Sequence, residues 1–196
     1  MSNPARYRLF IAVDLPPEAR QSLAQVQSRL KSAGAIRWTK PQQIHLTLQF
    51  LGDTPATQVE AITHALQRKV SPLPPFPLTL NGVGVFPNLK RPRIVWAGIT
   101  GEGDALKALH RAVISATQTV GFQAEERPFK PHLTIGRVQK WAKPANYAAI
   151  RQVIQRSPVT EIAAFPVDHI SLIRSQLTPA GPIYTQLAGI DLGAFI

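Results

Sequence analysis

Alternation of apolar and polar residues divides the chain into short strands and amphipathic helices. Arg8 to Val13 (RLFIAV) reads as a buried strand. Pro16-Pro17 opens a helix whose apolar positions Ala19, Leu23, Val26, Leu30 and Ala33 fall on one stripe, and Gly34 closes it. Ile44 to Leu51 (IHLTLQFL) alternates with period two, as a half-buried strand does. Thr54-Pro55 reads as an N-cap followed by proline at the first helical position, and Val59, Ile62, Leu66 and Val70 line that helix. Ser71 to Pro77 holds four prolines and is a connector. Strands follow near Leu78 to Phe86 and Ile94 to Ile99, with residues 87–92 turning between them. Leu106, Leu109, Val113 and Val120 stripe a third helix ended by Gly121, and His132 to Val138 is the next strand. Tyr147, Ile150 and Ile154 mark a fourth helix that stops before Pro158, since the residue before a proline disfavours helix. Ile162 to Ile173 and Ile183 to Ile190 close the chain as strands.

Many joins are short, and the strands alternate more than they run continuously apolar. This pattern predicts an α+β architecture, mostly antiparallel sheet with helices on one face. No linker is long or polar enough to separate independent domains, so residues 1–196 are expected to form one unit, with the proline-rich connector joining two lobes.

Composition narrows the function. An apolar content of 44% excludes a chain disordered throughout, and the absence of Cys excludes disulfides, thiolate zinc sites, iron–sulfur clusters and a Cys nucleophile. It also suits a reducing compartment, and a cytoplasmic location is expected. No run approaches the ~18 apolar residues of a membrane span, and the apolar run after Arg8 is broken at Asp14 and Pro16, too early for a signal peptide. The net charge is +11, and it does not sit in a tail. Residues 19–52 carry five basic side chains and no acid, 61–101 again five and none, and 127–160 seven and none. Such spread favours an anionic partner, with nucleic acid first, although net charge by itself serves solubility equally well.

The chemistry lies in a pattern that occurs twice. His45-Leu46-Thr47-Leu48 and His132-Leu133-Thr134-Ile135 both read His-x-Thr followed by an aliphatic residue, 87 positions apart. On a strand the His and Thr of each copy face one side while the aliphatic residues anchor the other. Two such strands, one per lobe, would bring two imidazoles and two hydroxyls to one cleft. In-line displacement at phosphorus needs a base on the attacking oxygen and an acid on the leaving oxygen. One neutral and one protonated imidazole supply both near pH ~6.5, and the hydroxyls donate to the non-bridging oxygens. A metal site is the weaker alternative, because neither motif brings a further Asp, Glu or His ligand. Buried histidines hydrogen-bonded to their threonines are the bland one. His64 reads as exposed and His110 as packing. Asp168 and His169 are neighbours on a strand and so face opposite sides, which argues against a dyad.

The flanks extend the pattern into a resemblance. Residues 8–16 (RLFIAVDLP), Arg37-Trp38-Thr39 leading to residues 45–52 (HLTLQFLG), residues 82–86 (GVGVF), Arg93-Ile94-Val95-Trp96, residues 129–137 (FKPHLTIGR), and Ser175, Gly181 and Tyr184 follow in order over nearly the whole chain. Together they resemble the RNA 2′,3′-cyclic phosphodiesterase family, historically called 2′-5′ RNA ligase, of the two-histidine (2H) phosphoesterase superfamily. The resemblance implies a bilobal, pseudo-symmetric fold with two mostly antiparallel sheets flanked by helices around a central cleft. It implies opening of RNA 2′,3′-cyclic phosphate ends to a 2′-phosphomonoester without metal or cofactor, and 2′-5′ ligation in reverse. His45 would be the general acid, His132 the general base, and Thr47 and Thr134 the phosphate ligands. Phe10, Trp38 and Phe86 are candidates to stack a base, Arg91 and Arg93 to hold RNA phosphates, and Tyr184 to line the cleft. Arg137 is also a candidate ligand, although a regular strand would turn it away from His132 and Thr134. The expected partner is RNA with a 2′,3′-cyclic phosphate end, acted on by a monomer. A small cyclic phosphate as substrate, or a non-catalytic RNA 3′-end binder, are the competing readings.

Overall fold

The computed structural model describes residues 5–156, 160 and 162–193. Among the described residues the chain forms nine strands and four α-helices. They run in the order β1 (Arg6–Asp14), α1 (Pro17–Leu30), β2 (Ile36–Trp38), β3 (His45–Pro55), α2 (Val59–Val70), β4 (Phe76–Phe86), β5 (Ile94–Gly101) and α3 (Gly103–Gln118). There follow β6 (His132–Val138), α4 (Pro144–Arg156), β7 (Ala163–Val167), β8 (His169–Thr178) and β9 (Gly181–Asp191). Every strand pair is antiparallel, in the spatial order β7-β4-β5-β6-β3-β1-β8-β9, with β2 also on β6.

The two expected sheets are two halves of one hydrogen-bonded sheet. The halves meet at a single residue pair, Leu46 opposite Leu133, on β3 and β6. Beyond that pair β3 leaves, and β2 takes over the edge of β6 at residues 136–138. The β2 strand is three residues long, which is too short to alternate visibly in sequence.

One face of the sheet is closed by the helices. Leu23 and Val26 of α1, Ile62 and Leu66 of α2, Leu109 and Val113 of α3 and Ile150 of α4 share a single core cluster with Leu46, Leu133 and Ile135. A buried glutamine ties this layer to the sheet: Gln27 Nε2 donates to the carbonyls of Thr39 and Ile135 at 2.7 and 2.8 Å. The opposite face carries only a small second cluster, Phe10, Ala12 and Ile173 with Tyr184 against it. That leaves the face free for polar side chains.

Two boundaries differ from the sequence reading. Thr54-Pro55 does not open α2. It extends β3, because Thr54 and Pro55 pair with Tyr7 and Arg6 of β1, and α2 follows a 3-10 turn at residues 56–58. The pairing gained along a whole strand outweighs a local cap. Residues 162–173 are two strands, not one: β7 pairs with β4 and β8 with β1, so the chain crosses from one half to the other at Asp168. The expected stop before Pro158 lies outside the described residues.

Candidate active site

Both His-x-Thr motifs lie where the two halves touch. Leu46 and Leu133, the seam pair, are fully buried, so His45, Thr47, His132 and Thr134 project from the other face, each part-exposed. Continuing the antiparallel register from the seam sets His45 across from Thr134 and Thr47 across from His132. The two imidazoles thus stand on a diagonal, a separation of ~7–8 Å between backbones. Thr47 and Thr134 stand on the other diagonal of the same face.

The two rings are held in the same way. His45 Nδ1 bonds the carbonyl of Gln43 at 2.9 Å, and His132 Nδ1 bonds the carbonyl of Lys130 at 2.7 Å. A carbonyl only accepts, so each Nδ1 carries the proton and each Nε2 is left as the working nitrogen. The sequence carries no signal for these bonds, because any residue two positions upstream supplies a carbonyl.

Aromatic rings fix the planes. Phe10 stacks on His45 with centroids 4.7 Å apart, and Tyr184 meets both rings edge-on at 5.3 Å. Phe86 meets His132 edge-on at 5.0 Å and lies 5.4 Å from Trp96. Trp96 sits opposite Thr134 on β5 and covers Gly84 of β4, where an added Cβ would collide with its indole. Trp96 was not singled out from sequence. Its signal is the pair of glycines, Gly84 and Gly98, that leave room for an indole on a strand face.

Electrostatics differ between the motifs. Burial pushes the His45 imidazole below its usual range, while the Gln43 carbonyl and the Asp14 carboxylate pull it back up. Asp14 lies opposite His45 in the β1–β3 register and accepts from Ser171 Oγ at 2.5 Å. Burial pushes the Tyr184 phenol up, against the pull of Arg137 and Arg8, so it stays a hydroxyl donor at neutral pH.

Several expectations change. Phe10 is not a base platform: it is 3% exposed and spends its face on His45. Trp38 is not one either, since it lies opposite Gly136 and packs with Ile36 and Val138 on the core side. Arg137 moves the other way. Val95 pairs with Gly136 and Trp96 with Thr134, so Ile135 is an extra residue, a bulge that shifts the alternation by one. Arg137 therefore emerges on the face of Thr134, exposed, in a row with Ile94 and Arg37. Arg37 was missed because β2 is too short to read as a strand. Arg91 stays on the exposed β4–β5 turn, where Asn88 Oδ1 caps the amides of Lys90 and Arg91. Asp168 and His169 do meet, with His169 Nδ1 donating to Asp168 Oδ1 at 2.6 Å, because the strand breaks at Asp168. His64 is exposed near Glu60, and His110 is part-buried and stacked on Phe129 at 4.0 Å, as read from sequence. Among the described residues no three His, Asp or Glu side chains gather into a metal-binding group, and no helix is long and apolar enough to cross a membrane.

The chain is similar to known proteins over most of its length. Residues 15–179 match the model of the 2′-5′ RNA ligase superfamily. An RNA 2′,3′-cyclic phosphodiesterase of Methanothermobacter thermautotrophicus is 35% identical over 183 residues, 93% of this chain and 97% of that protein. The enzyme of the same name from Thermotoga maritima is 34% identical over 181 residues, 92% of each. Among solved structures, a Thermus thermophilus protein superposes with a TM-score of 0.81 at 31% identity, covering 95% of this chain and 98% of that one. E. coli LigT complexed with 3′-AMP superposes with a TM-score of 0.77 at 26% identity, covering 97% and 100%.

Proposed function

The chain belongs to the 2′-5′ RNA ligase superfamily, and from that premise we propose that it opens 2′,3′-cyclic phosphate ends of RNA to 2′-phosphomonoesters as a single catalytic unit spanning residues 1–196. The observation that carries the reading is the pair of imidazoles, each tethered through Nδ1 to a backbone carbonyl, on the face that also carries Thr47 and Thr134. A general acid and a general base at opposite ends of a phosphodiester are what ring opening requires, and both residues come from one protein chain.

In this reading His132 Nε2 takes a proton from water as it attacks phosphorus. His45 Nε2 gives a proton to the departing 3′ oxygen. Thr47 and Thr134 donate to the non-bridging oxygens, where charge concentrates in the transition state, and Arg137 adds a positive charge from the same face. The neutral form that burial favours at His45 runs against its acid role. A bound phosphodiester answers that, since its negative charge beside the ring adds to the pull of Asp14 and restores the proton. With a 5′-hydroxyl in place of water, attack on the cyclic phosphate breaks the same bond to the 3′ oxygen and joins the two ends through a 2′-5′ bond. Neither direction needs a metal or a nucleotide cofactor, because proton transfer and charge stabilisation complete the reaction. An RNA substrate fits the cytoplasm, and a site built from one chain fits a monomer.

The test is incubation of a cyclic-phosphate-ended oligoribonucleotide with the protein in EDTA, followed by identification of the product. A 2′-phosphate is expected. Absence of turnover, or turnover only on addition of a divalent metal, would overturn the proposal.

A further inference from the structure

A cavity of about 470 Å³ adjoins His45. Its walls come from the end of β1, the start of α1, and β8 and β9, which lie beyond β3 from β6 and so on the side away from His132. Asp14 and Tyr184 belong both to this cavity and to the surroundings of His45, so the cavity and the site share a wall. The volume lies in the ~300–1,000 Å³ range of small-ligand pockets.

The lining is flat and apolar on some sides and polar on others. Pro16, Pro166, Ile173 and the Tyr184 ring give the apolar surface. Arg20 lines it and makes no ion pair among the described residues. Asp168 and His169, the pair formed at the break between β7 and β8, complete the wall; the pair uses Asp168 Oδ1 only. Arg20 and Asp168 thus give the lining a cationic donor and an acceptor carboxylate beside its apolar sides. Two carboxylates, Asp14 and Asp168, offset the charge of Arg20 in the lining, so it offers no net positive field to a second phosphate group.

We infer that this cavity binds the nucleobase of the terminal nucleotide, the one whose ribose carries the cyclic phosphate. This rests on the ring-opening reading. His45 protonates the 3′ oxygen, and that oxygen and the base belong to the same ribose, so the base must lie on the His45 side of the phosphate. A neutral heterocycle with two apolar faces and an edge of donors and acceptors is the chemistry the walls match.

The test compares guanosine 2′,3′-cyclic phosphate with the base-free 1,2-cyclic phosphate of glycerol, in the parent protein and in Asp168→Asn and Arg20→Gln. Thermal unfolding checks that both variants fold, and Asp168→Asn preserves shape. The ratio of kcat/KM for the nucleotide over the base-free compound should fall about tenfold in each, through KM, as loss of a charge-assisted hydrogen bond does. An unchanged ratio in both variants overturns the pocket assignment while leaving the chemistry intact. If the parent protein opens neither compound, the phosphodiesterase reading fails instead, and equilibrium titration decides the pocket. Tighter binding of guanosine 2′-monophosphate than of inorganic phosphate, lost in Asp168→Asn, supports it; equal binding of the two overturns it.

Discussion

Gly84→Ala tests whether the aromatic layer under His132 positions the site, without touching any group that meets substrate. A methyl at residue 84 would lie 2.5 Å from Cη2 and 2.7 Å from Cε2 of Trp96, and closer still to Cζ2. Ordinary contact begins at 3.4 Å, so the indole must retreat by about 1 Å or the strand must give. Neither is easy: the indole N–H is already buried, and Val85, next along β4, is in the core. Overpacking of this kind costs ~1–3 kcal/mol. The displaced indole pushes toward Phe86, at 5.4 Å, which in turn borders His132 at 5.0 Å, and Trp96 is also the cross-strand neighbour of Thr134. A misplacement near 1 Å at a catalytic group costs up to ~100-fold in rate. Differential scanning calorimetry and steady-state ring opening together read the outcome. The expected result is a lower Tm and a kcat reduced by about tenfold to 100-fold, with KM less affected. Gly103→Ala, whose methyl would meet nothing within 4 Å, should leave both unchanged. If Gly84→Ala lowers Tm but leaves kcat at the parent value, the aromatic layer is packing alone and the positioning argument is wrong.

Replacing either His45 or His132 by Ala should lower kcat at least ~100-fold in EDTA, the usual worth of an acid or base, and full activity in one variant would remove that residue from the mechanism. On titration with inorganic phosphate, the imidazole NMR resonance of His45 should move to a higher pKa, since an anion beside the buried ring favours the cation; a pKa that stays below the free-histidine value would exchange the acid and base roles. His45 and His110 both titrate below the unfolded value of ~6.5 because of burial, so below about pH 6.5 the unfolded chain binds more protons and stability falls as pH falls. In urea melts from pH 7.5 to 5, His110→Gln should flatten that decline, and an unchanged slope would remove His110 as a cause. Arg37→Ala should weaken binding of a cyclic-phosphate-ended oligomer and reduce its salt slope by about one unit, because Arg37 faces Arg137 with no acidic partner among the described residues; an unchanged slope would place Arg37 outside the RNA path.

How far the sequence reaches is clearest at particular residues. The duplicated His-x-Thr and its alternation were enough to place four side chains on one face, because period-two geometry is local and needs no partner. The helix stripes were legible for the same reason: Leu23, Leu66, Leu109 and Ile150 all enter the core. Phe10 was misassigned because alternation tells which face a ring is on and not what covers it; Tyr184, Ile173 and His45 arrive from distant segments. The face on which Arg137 lies was not legible, because a bulge is a property of the pairing between β5 and β6, not of β6 alone. Asp168–His169 was rejected on a regular strand that the crossover between halves interrupts.

By itself, then, the sequence determined the chemical groups available, the strands that carry them, and the faces on which they lie, since each follows from spacing and side-chain type along a short stretch. Tertiary structure decided the rest. It joined the two motif strands at one leucine pair, chose the carbonyls that fix both imidazole tautomers, set aromatic rings against them, turned Arg137 to the face of Thr134, and left a cavity beside His45. All of these depend on which segments become neighbours, and that is settled by burying one common core on the far face of the sheet, a contest among long-range contacts that no local pattern records.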